Sequence, residues 1–536
     1  MLPVLNEAMQ GNQSRMTQMI APWVEEEMKT ADLKDKRLNR RLQELLSDLA
    51  GQPTASIPAA CGGRAEMVAA YRFFENEKTP FADVLQPHID STRKRIGAQP
   101  VVVLSQDTTE VDVTRPEKQV KGAGPLDGDS RRGALLHVLH AFTPDGTPLG
   151  TLHAQQWVRD EEVKCASKSR AERANIPIEQ KESYRWITTL RKVHEEAQNC
   201  PSTQLICVAD SEADIFELVV VGMSKPQNSD WIVRACQDRA LLVESEESEK
   251  DSEESEKQRY LREYLLANPV LFTQMIHVRG RAAKVTCDVR GRRQPRESRQ
   301  TEVEVRAATV TLRPPWRSDR KLPPVTVNVV LVSEPNPPPG DEPVNWLLIT
   351  SLPVGDIEQV RKVIQYYCLR WMIEVFFRTL KSGCRIEERQ FEYLDRLTTC
   401  LALYLIVAWR TLYVCRLGRS CPDISCEAVF EPAEWKSVWK VVRREDPPVT
   451  PPKLGTVVRL IAQLGGYVNR KRPDPPGPQT VWLGLQRMHD MALCWELFRP
   501  GAGDQSRVGD QTAAGEQSAT EDQLAVEDRL TVEDRL

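Results

Sequence analysis

The run between residues 101 and 236 leaves the chain the least freedom. VVVL (101–104) runs into SQDTTEVDV, and LLHVLHAFT and TPLGTLHAQQWV (135–158) read as two strands across a Pro-Asp-Gly turn. A helical stretch follows at about 178–198, then the apolar strand QLICVA (204–209), the helix EADIFELVVV (212–221) and the strand WIVRAC (231–236). The order is βββαβαβ. A three-stranded meander followed by strand–helix–strand units is an α/β pattern with a mixed sheet, because parallel strands need a crossover and a helix supplies it.

At 536 residues the chain is too long for one hydrophobic core, so several domains are expected. Beyond an N-terminal extension (1–21), residues 22–95 read as a small helical domain, with Leu38, Leu42, Leu45 and Leu49 at helical spacing. The other face of that helix is basic. The first part of the α/β core spans 96–240. It is followed by an acidic repeat, SEESEK twice, in a loop at 241–260 that lacks the apolar residues to fold. Residues 261–352 carry β-rich runs (VEVRAATVTL, VTVNVVLV, NWLLIT) broken by prolines and by a basic stretch from Arg279 to Arg299, which predicts an inserted β domain. A helical segment (353–392), a helical C-terminal domain (393–499) and a polar repeat tail (500–536) complete the chain.

The formal charge of −4 conceals an uneven distribution. Residues 244–257 and 501–536 each carry a net −6, which leaves +8 on the rest, compatible with a body that binds phosphates. No N-terminal segment resembles a secretory signal, so the chain is expected to be used from Met1. The longest apolar run, Leu397 to Trp409, falls short of the about 20 residues a bilayer span needs and predicts a buried helix, with no membrane partner. Thirteen cysteines without a CxxC pair or a Cys/His cluster argue against a zinc site or a disulfide framework, and place the protein in the cytoplasm.

Three acids stand out. Asp107 and Asp210 each follow an apolar strand, although such aspartates more often cap a helix or open a turn. The third, Glu374, lies in IQYYCLRWMIEVFFRTLK (364–381), read as one helix. At about 100° per residue, Tyr367, Arg370, Glu374, Arg378 and Lys381 share a narrow stripe on an otherwise apolar surface, as for a buried helix lining a cleft. Carboxylates in such a cleft suit magnesium, while cations and an aromatic ring beside them suit a phosphate backbone.

This combination resembles the ribonuclease H-like core of the DDE transposases, and more narrowly the insertion-sequence-four family. The late motif of that family, Tyr, two residues, Arg, three residues, Glu, six residues, Lys, is matched by Tyr367, Arg370, Glu374 and Lys381; its DTT segment is matched at Asp107, and its D-x-E-A-D-I segment at Asp210. The resemblance implies a cut-and-paste enzyme that binds transposon ends as a homodimer in a paired-end complex, and that cleaves and joins double-stranded DNA with two Mg²⁺ ions, Mn²⁺ substituting. Asp107, Asp210 and Glu374 would be both catalytic residues and metal ligands. The resemblance further implies DNA contacts from Tyr367, Arg370, Trp371 and Lys381, base stacking by Trp346, and end recognition by Arg37, Arg40, Arg41, Tyr71 and Arg72. A hairpin intermediate is expected at the cut ends. Two other functions remain open at the level of sequence: an inactive DNA-binding relic or inhibitor, and a nuclease of the same fold without strand transfer.

Overall fold

The structure, a computed structural model, describes residues 20–115, 118–127, 130–160, 176–242, 260–278, 280, 297–468 and 475–498. The acidic repeat, the C-terminal repeat tail and most of the basic stretch after Arg279 lie outside the described residues.

Five helices lead the chain: α1 (Pro22–Glu27), α2 (Lys36–Gly51), α3 (Ile57–Ala60), α4 (Arg64–Phe74) and α5 (Phe81–Gly97). Asp35 starts α2 by accepting the Arg37 backbone N–H, which satisfies one of the donors a helix start leaves free. Leu42, Leu45, Leu46 and Leu49 then bury one face completely. Each such leucine contributes about 1.5–3 kcal/mol of burial free energy. These helices share a single core with β1, β3 and the long C-terminal helix described below.

The sheet begins with β1 (Val101–Asp112), the short β2 (Gly124–Pro125), β3 (Arg132–Phe142) and β4 (Pro148–Trp157), an antiparallel meander. Helix α6 (Tyr184–Asn199) leads to β5 (Gln204–Ala209), and α7 (Phe216–Met223) to β6 (Ser229–Arg234). Both β5 and β6 run parallel to β1. The resulting order, β4-β3-β1-β5-β6, is the mixed sheet of a ribonuclease H-like core. Strand β5 is apolar throughout because it is covered on both sides: Leu205 and Cys207 pack under α6 and α7, while Ile206 and Val208 face the opposite helices.

After α8 (Leu261–Ala267), strands β7 (Phe272–Val278), β8 (Arg299–Leu312), β9 (Val325–Ser333) and β10 (Asn345–Thr350) continue the same sheet. Strand β10 pairs with β6, so all ten strands form one hydrogen-bonded surface. The chain then returns through α9 (Ile357–Cys368), α10 (Trp371–Arg378), the 27-residue α11 (Leu394–Ser420), α12 (Pro432–Arg443), α13 (Leu454–Leu464) and α14 (Pro478–Phe498). Helix α11 is longer than the apolar run that signals it, long enough and apolar enough to cross a bilayer. Yet 89% of its most apolar window is buried against protein, where it packs on α2, α5 and β4.

A buried polar cluster joins the N-terminal helices to the sheet. Glu27 accepts hydrogen bonds from both arms of Arg95 (2.8 and 2.9 Å) and from His88 Nδ1, while His88 Nε2 accepts the Thr151 backbone N–H at 3.0 Å. A ring that accepts on one nitrogen and donates from the other is neutral, in keeping with burial pushing the His88 pKa down against the opposing pull of Glu27. For Glu27, burial opposes ionisation but His88 and Arg95 outweigh it, holding the carboxyl down at about 2. The Arg95 guanidinium also lies 4.2 Å from the centroid of the Trp409 ring on α11. Gly150, at φ +140°, lets β4 come this close, since a Cβ there would collide with Thr92 Oγ1.

Replacing Glu27 by alanine leaves His88 Nδ1 without its acceptor and the Arg95 charge without its counter-ion, bonded only to the Leu149 carbonyl and Thr92 Oγ1, and is expected to destabilise the protein by about 3–5 kcal/mol near neutral pH. Because the folded pKa lies below the unfolded one, the contribution is complete above about 4.5 and is lost as pH falls toward 2. Denaturant titrations of both proteins from pH 7 to 3 check this. A gap below about 1 kcal/mol at pH 7 would show that the cluster does not hold the helices to the sheet.

Candidate active site

Asp107 does not end a strand, as its sequence context suggests, but sits in the middle of one. The β-branched Thr108, Thr109 and Val111 carry β1 on to Asp112, and β3 pairs with it throughout, Asp107 opposite Val138. Successive side chains of a strand point to opposite faces. Asp107 therefore shares a face with Val103 and Val111, towards the C-terminal helices, and Thr108 faces α6.

Asp210 follows the last residue of β5, and its side chain accepts the Glu212 backbone N–H at 2.8 Å. The bond closes a 3₁₀ turn over Ser211–Ala213, so the helix expected from residue 212 begins only at Phe216. The second aspartate of that segment has a structural task. Asp214 is buried, accepts the backbone N–H groups of Cys236 and Gln237 at 2.8 and 2.9 Å, and pairs with Arg239.

Glu374 stands on α10, which is seated on β3 by Phe376, 4.3 Å from the His140 ring. The single helix expected over 364–381 is interrupted twice. At Leu369 to Ile373 the backbone bonds reach back three residues rather than four, a tightened turn between α9 and α10, and at Thr379–Gly383 the helix widens into a π turn. The polar stripe survives only in part. Arg370 donates to Glu374 at 2.6 Å and to Asp107 at 3.3 Å. Lys381, carried into the π turn, pairs instead with Glu387 at 3.2 Å. Tyr367 is buried beside Arg370, and burial raises its pKa.

The three acids thus come from the middle of β1, the end of β5 and the first turn of α10. Burial, then the neighbouring charge of Asp210, push the Asp107 pKa up to about 7; Arg370 pulls the other way and Glu374 adds to the rise. Among the described residues, no three His, Cys, Asp or Glu side chains stand at ligand distance around one point. The Arg370 guanidinium lies against both Asp107 and Glu374. The donor set nevertheless fits a hard divalent cation: oxygen ligands only, with mutual repulsion that a cation would relieve.

The remaining candidates are spread more widely. Trp346, half-buried, is 6.0 Å from Tyr367 between ring centroids, at an interplanar angle of 60°. Trp371 is 45% exposed. On α2, Arg37 pairs with Asp35, and Arg40 and Arg41 with Glu44, along the exposed face. Arg72 is exposed on α4, whereas Tyr71 leans inward with its ring edge-on to Phe391 at 6.0 Å. Two residues that stand out in the structure carry little signal in the sequence, Arg185 and Glu212. An arginine beside Trp186 at the start of an amphipathic helix gives no periodic mark, and Glu212 is visible only as part of the segment around Asp210.

Three families match the chain. The Transposase DNA-binding family covers residues 20–79, the Transposase DDE domain 224–410, and the Transposase Tn5 dimerisation domain 406–496. The chain belongs to the Tn5-like DDE transposases. The DDE match contains Glu374 and begins after Asp107 and Asp210. Among solved structures, a piggyBac transposase in a synaptic complex with hairpin DNA is similar at 9% identity and a TM-score of 0.31, over 82% of this chain. This chain spans 62% of that chain's length.

The raised pKa of Asp107 has a testable sign. Its folded value, about 7, exceeds the unfolded value of 3.8, so the folded state binds the proton more tightly and this group costs stability as pH rises through that window. In chelated protein, Asp107→Asn should match the wild type near pH 4 and exceed it by on the order of 2–4 kcal/mol at pH 8. Paired melting curves across that range decide it, and equal curves at pH 8 would contradict the electrostatic account.

Proposed function

We propose that this protein is a cut-and-paste DNA transposase: it binds the terminal inverted repeats of an element, cleaves them by phosphoryl transfer and joins the freed 3′ hydroxyl to target DNA. The reading rests first on Asp107, buried within electrostatic reach of Asp210 and Glu374. Asp107, Asp210 and Glu374 would hold the divalent cofactor, ordinarily two Mg²⁺ ions, with Mn²⁺ substituting. Bound metal supplies a Lewis acid that acidifies the attacking water or hydroxyl and stabilises the leaving oxygen.

The side chains around the acids do the rest. Arg370, the present counter-ion of Asp107 and Glu374, is placed to grip the scissile phosphate, with Trp371 along the same strand; Lys381, held by Glu387, joins them only when DNA replaces that partner. Tyr367 and Trp346 pack together beside Arg370 and form an aromatic platform for a base unstacked at the cut end, as a hairpin intermediate requires. The exposed Arg37, Arg40 and Arg72 and the half-buried Arg41, with Tyr71 supporting them, contact the duplex end. The C-terminal helices pair two copies into a paired-end complex, so that each end is held while it is cut. The compartment is the cytoplasm, where the substrate DNA resides.

Glu374→Gln removes a charge without changing shape, so end binding should remain while cleavage of an end-bearing duplex falls by at least about 10²-fold, the equivalent of about 3 kcal/mol. Retained cleavage would sink the assignment. Replacing Arg37, Arg40 and Arg41 together by alanine should weaken end binding and flatten its salt dependence, by about 0.9 in the log–log slope for each phosphate no longer neutralised. Band-shift titrations at several salt concentrations read both, and an unchanged slope would take these residues off the DNA.

A further inference from the structure

Arg185, near the start of α6, reaches the acids from the side opposite Arg370. Its Nε donates to Thr108 Oγ1 at 2.9 Å, its Nη2 pairs with Glu212 at 2.9 Å, and its Nη1 donates to the Glu182 carbonyl at 2.9 Å. The guanidinium lies 5.4 Å from the ring centroids of both Trp157 and Trp186, and only 12% of the side chain is exposed.

The two partners are not arbitrary. The Thr108 backbone N–H donates to Asp107 at 2.7 Å, and the Glu212 backbone N–H donates to Asp210 at 2.8 Å. One guanidinium therefore holds the side chains of the two residues whose backbones hold the two aspartates. These residues lie on separate segments, β1 and the turn after β5, so Arg185 spans the gap between the segments that carry the acids.

The Thr108 end of this link has a direction. Arginine only donates, so Thr108 Oγ1 accepts from it, and His137 Nδ1 lies 2.8 Å from the same oxygen. Burial keeps the His137 ring neutral, and its Nε2 faces Gln106 Oε1, which can only accept, at 3.3 Å; the proton is therefore on Nε2 and Nδ1 accepts the Thr108 hydroxyl, while the Gln106 amide nitrogen donates to Cys207 Sγ at 3.2 Å. The chain Arg185–Thr108–His137–Gln106–Cys207 is buried from His137 inward and crosses from α6 through β1 and β3 to β5. It fixes the Thr108 rotamer and with it the pleat of β1 at Asp107. A solvated arginine on a helix face would show none of this.

We propose that Arg185 is a positioning residue for Asp107 and Asp210, acting through Thr108 and Glu212 and touching neither DNA nor the reacting phosphorus. The proposal rests on the transposase reading above for its activity readout, and on the bonding pattern alone for its structural one. Groups that orient metal-binding side chains from behind are typically worth about 10–100-fold in metal affinity or activity.

The full-length protein with Arg185→Ala should keep its affinity for an end-bearing duplex within about twofold, while its single-turnover cleavage rate at fixed Mg²⁺ falls by about 10–100-fold and half-saturating Mg²⁺ rises. Thr108→Val should produce a similar loss, and the double variant should lose no more than the worse single one, because both break one connection. Arg185→Lys, which can keep the bond to Glu212, should recover part of the rate. In protein with isotopically labelled histidine, the His137 ring should be the Nε2–H form in the wild type, and its Nδ1 resonance should shift in Arg185→Ala as Thr108 loses the partner that fixes its rotamer. The proposal is overturned by cleavage within twofold of wild type in Arg185→Ala, by additive losses in the double variant, by a parallel loss of end binding, or by an unchanged His137 ring. Should the wild type itself cleave no end-bearing duplex, the transposase reading fails, and the His137 ring still decides whether Arg185 holds β1 as described.

Discussion

A carboxylate that is buried and flanked by two others is costly to ionise, and much of the surrounding structure answers that cost. Asp107 sits in mid-strand with Asp210 and Glu374 close enough to raise its pKa. Strand β1 is paired with β3 at Asp107 itself and with β5 as far as Ser105, so the backbone that carries the acid is held in the sheet. Cationic charge is supplied from both faces of the sheet: Arg370 bonds the acids directly, and Arg185 lies behind them on the α6 side. Without metal, Arg370 is the counter-ion. The repulsion that makes the site expensive is what a compact, multiply charged cation would relieve.

Holding such a site requires support from beyond the sheet. Helix α10, with Glu374, rests on β3 through Phe376, and its lower side belongs to the same core as α11 and the N-terminal helices. The Glu27, His88 and Arg95 cluster ties α1 and α5 to β4 next to Trp409 of α11. Helix α2, with its exposed arginines, is thus packed into the body that holds the acids. No described core belongs to the N-terminal helices alone.

Much of this was legible in the sequence because it rests on periodicity. The βββαβαβ order, the leucine face of α2, the doubly buried β5 and the Arg370–Glu374 spacing all follow from periods of 2 or 3.6 residues. What periodicity could not carry were departures from it. The tightened turn at Leu369 and the π turn at Lys381 lie inside a segment with an uninterrupted helical pattern, and they turn Lys381 away to Glu387. The position of Asp107 inside β1 was obscured because a polar stretch after an apolar run looks like a strand end. In fact β3 supplies partners along its whole length. Arg185 and His137 were invisible because their roles depend on residues far away in the chain.

The pairing of β10 with β6 has a mechanical consequence. The inserted strands are not a separate module attached by linkers: they are stitched to β6, and β6 to β5, by consecutive ladders. A force applied to the outer strands, where nucleic acid or a partner would press, is transmitted in shear through successive rows of hydrogen bonds to the turn that bears Asp210. The insert cannot hinge freely. Because β10 joins β6 over Leu348–Thr350, and β6 joins β5, a load on the rim of the insert and the spacing of the acids are linked through one sheet.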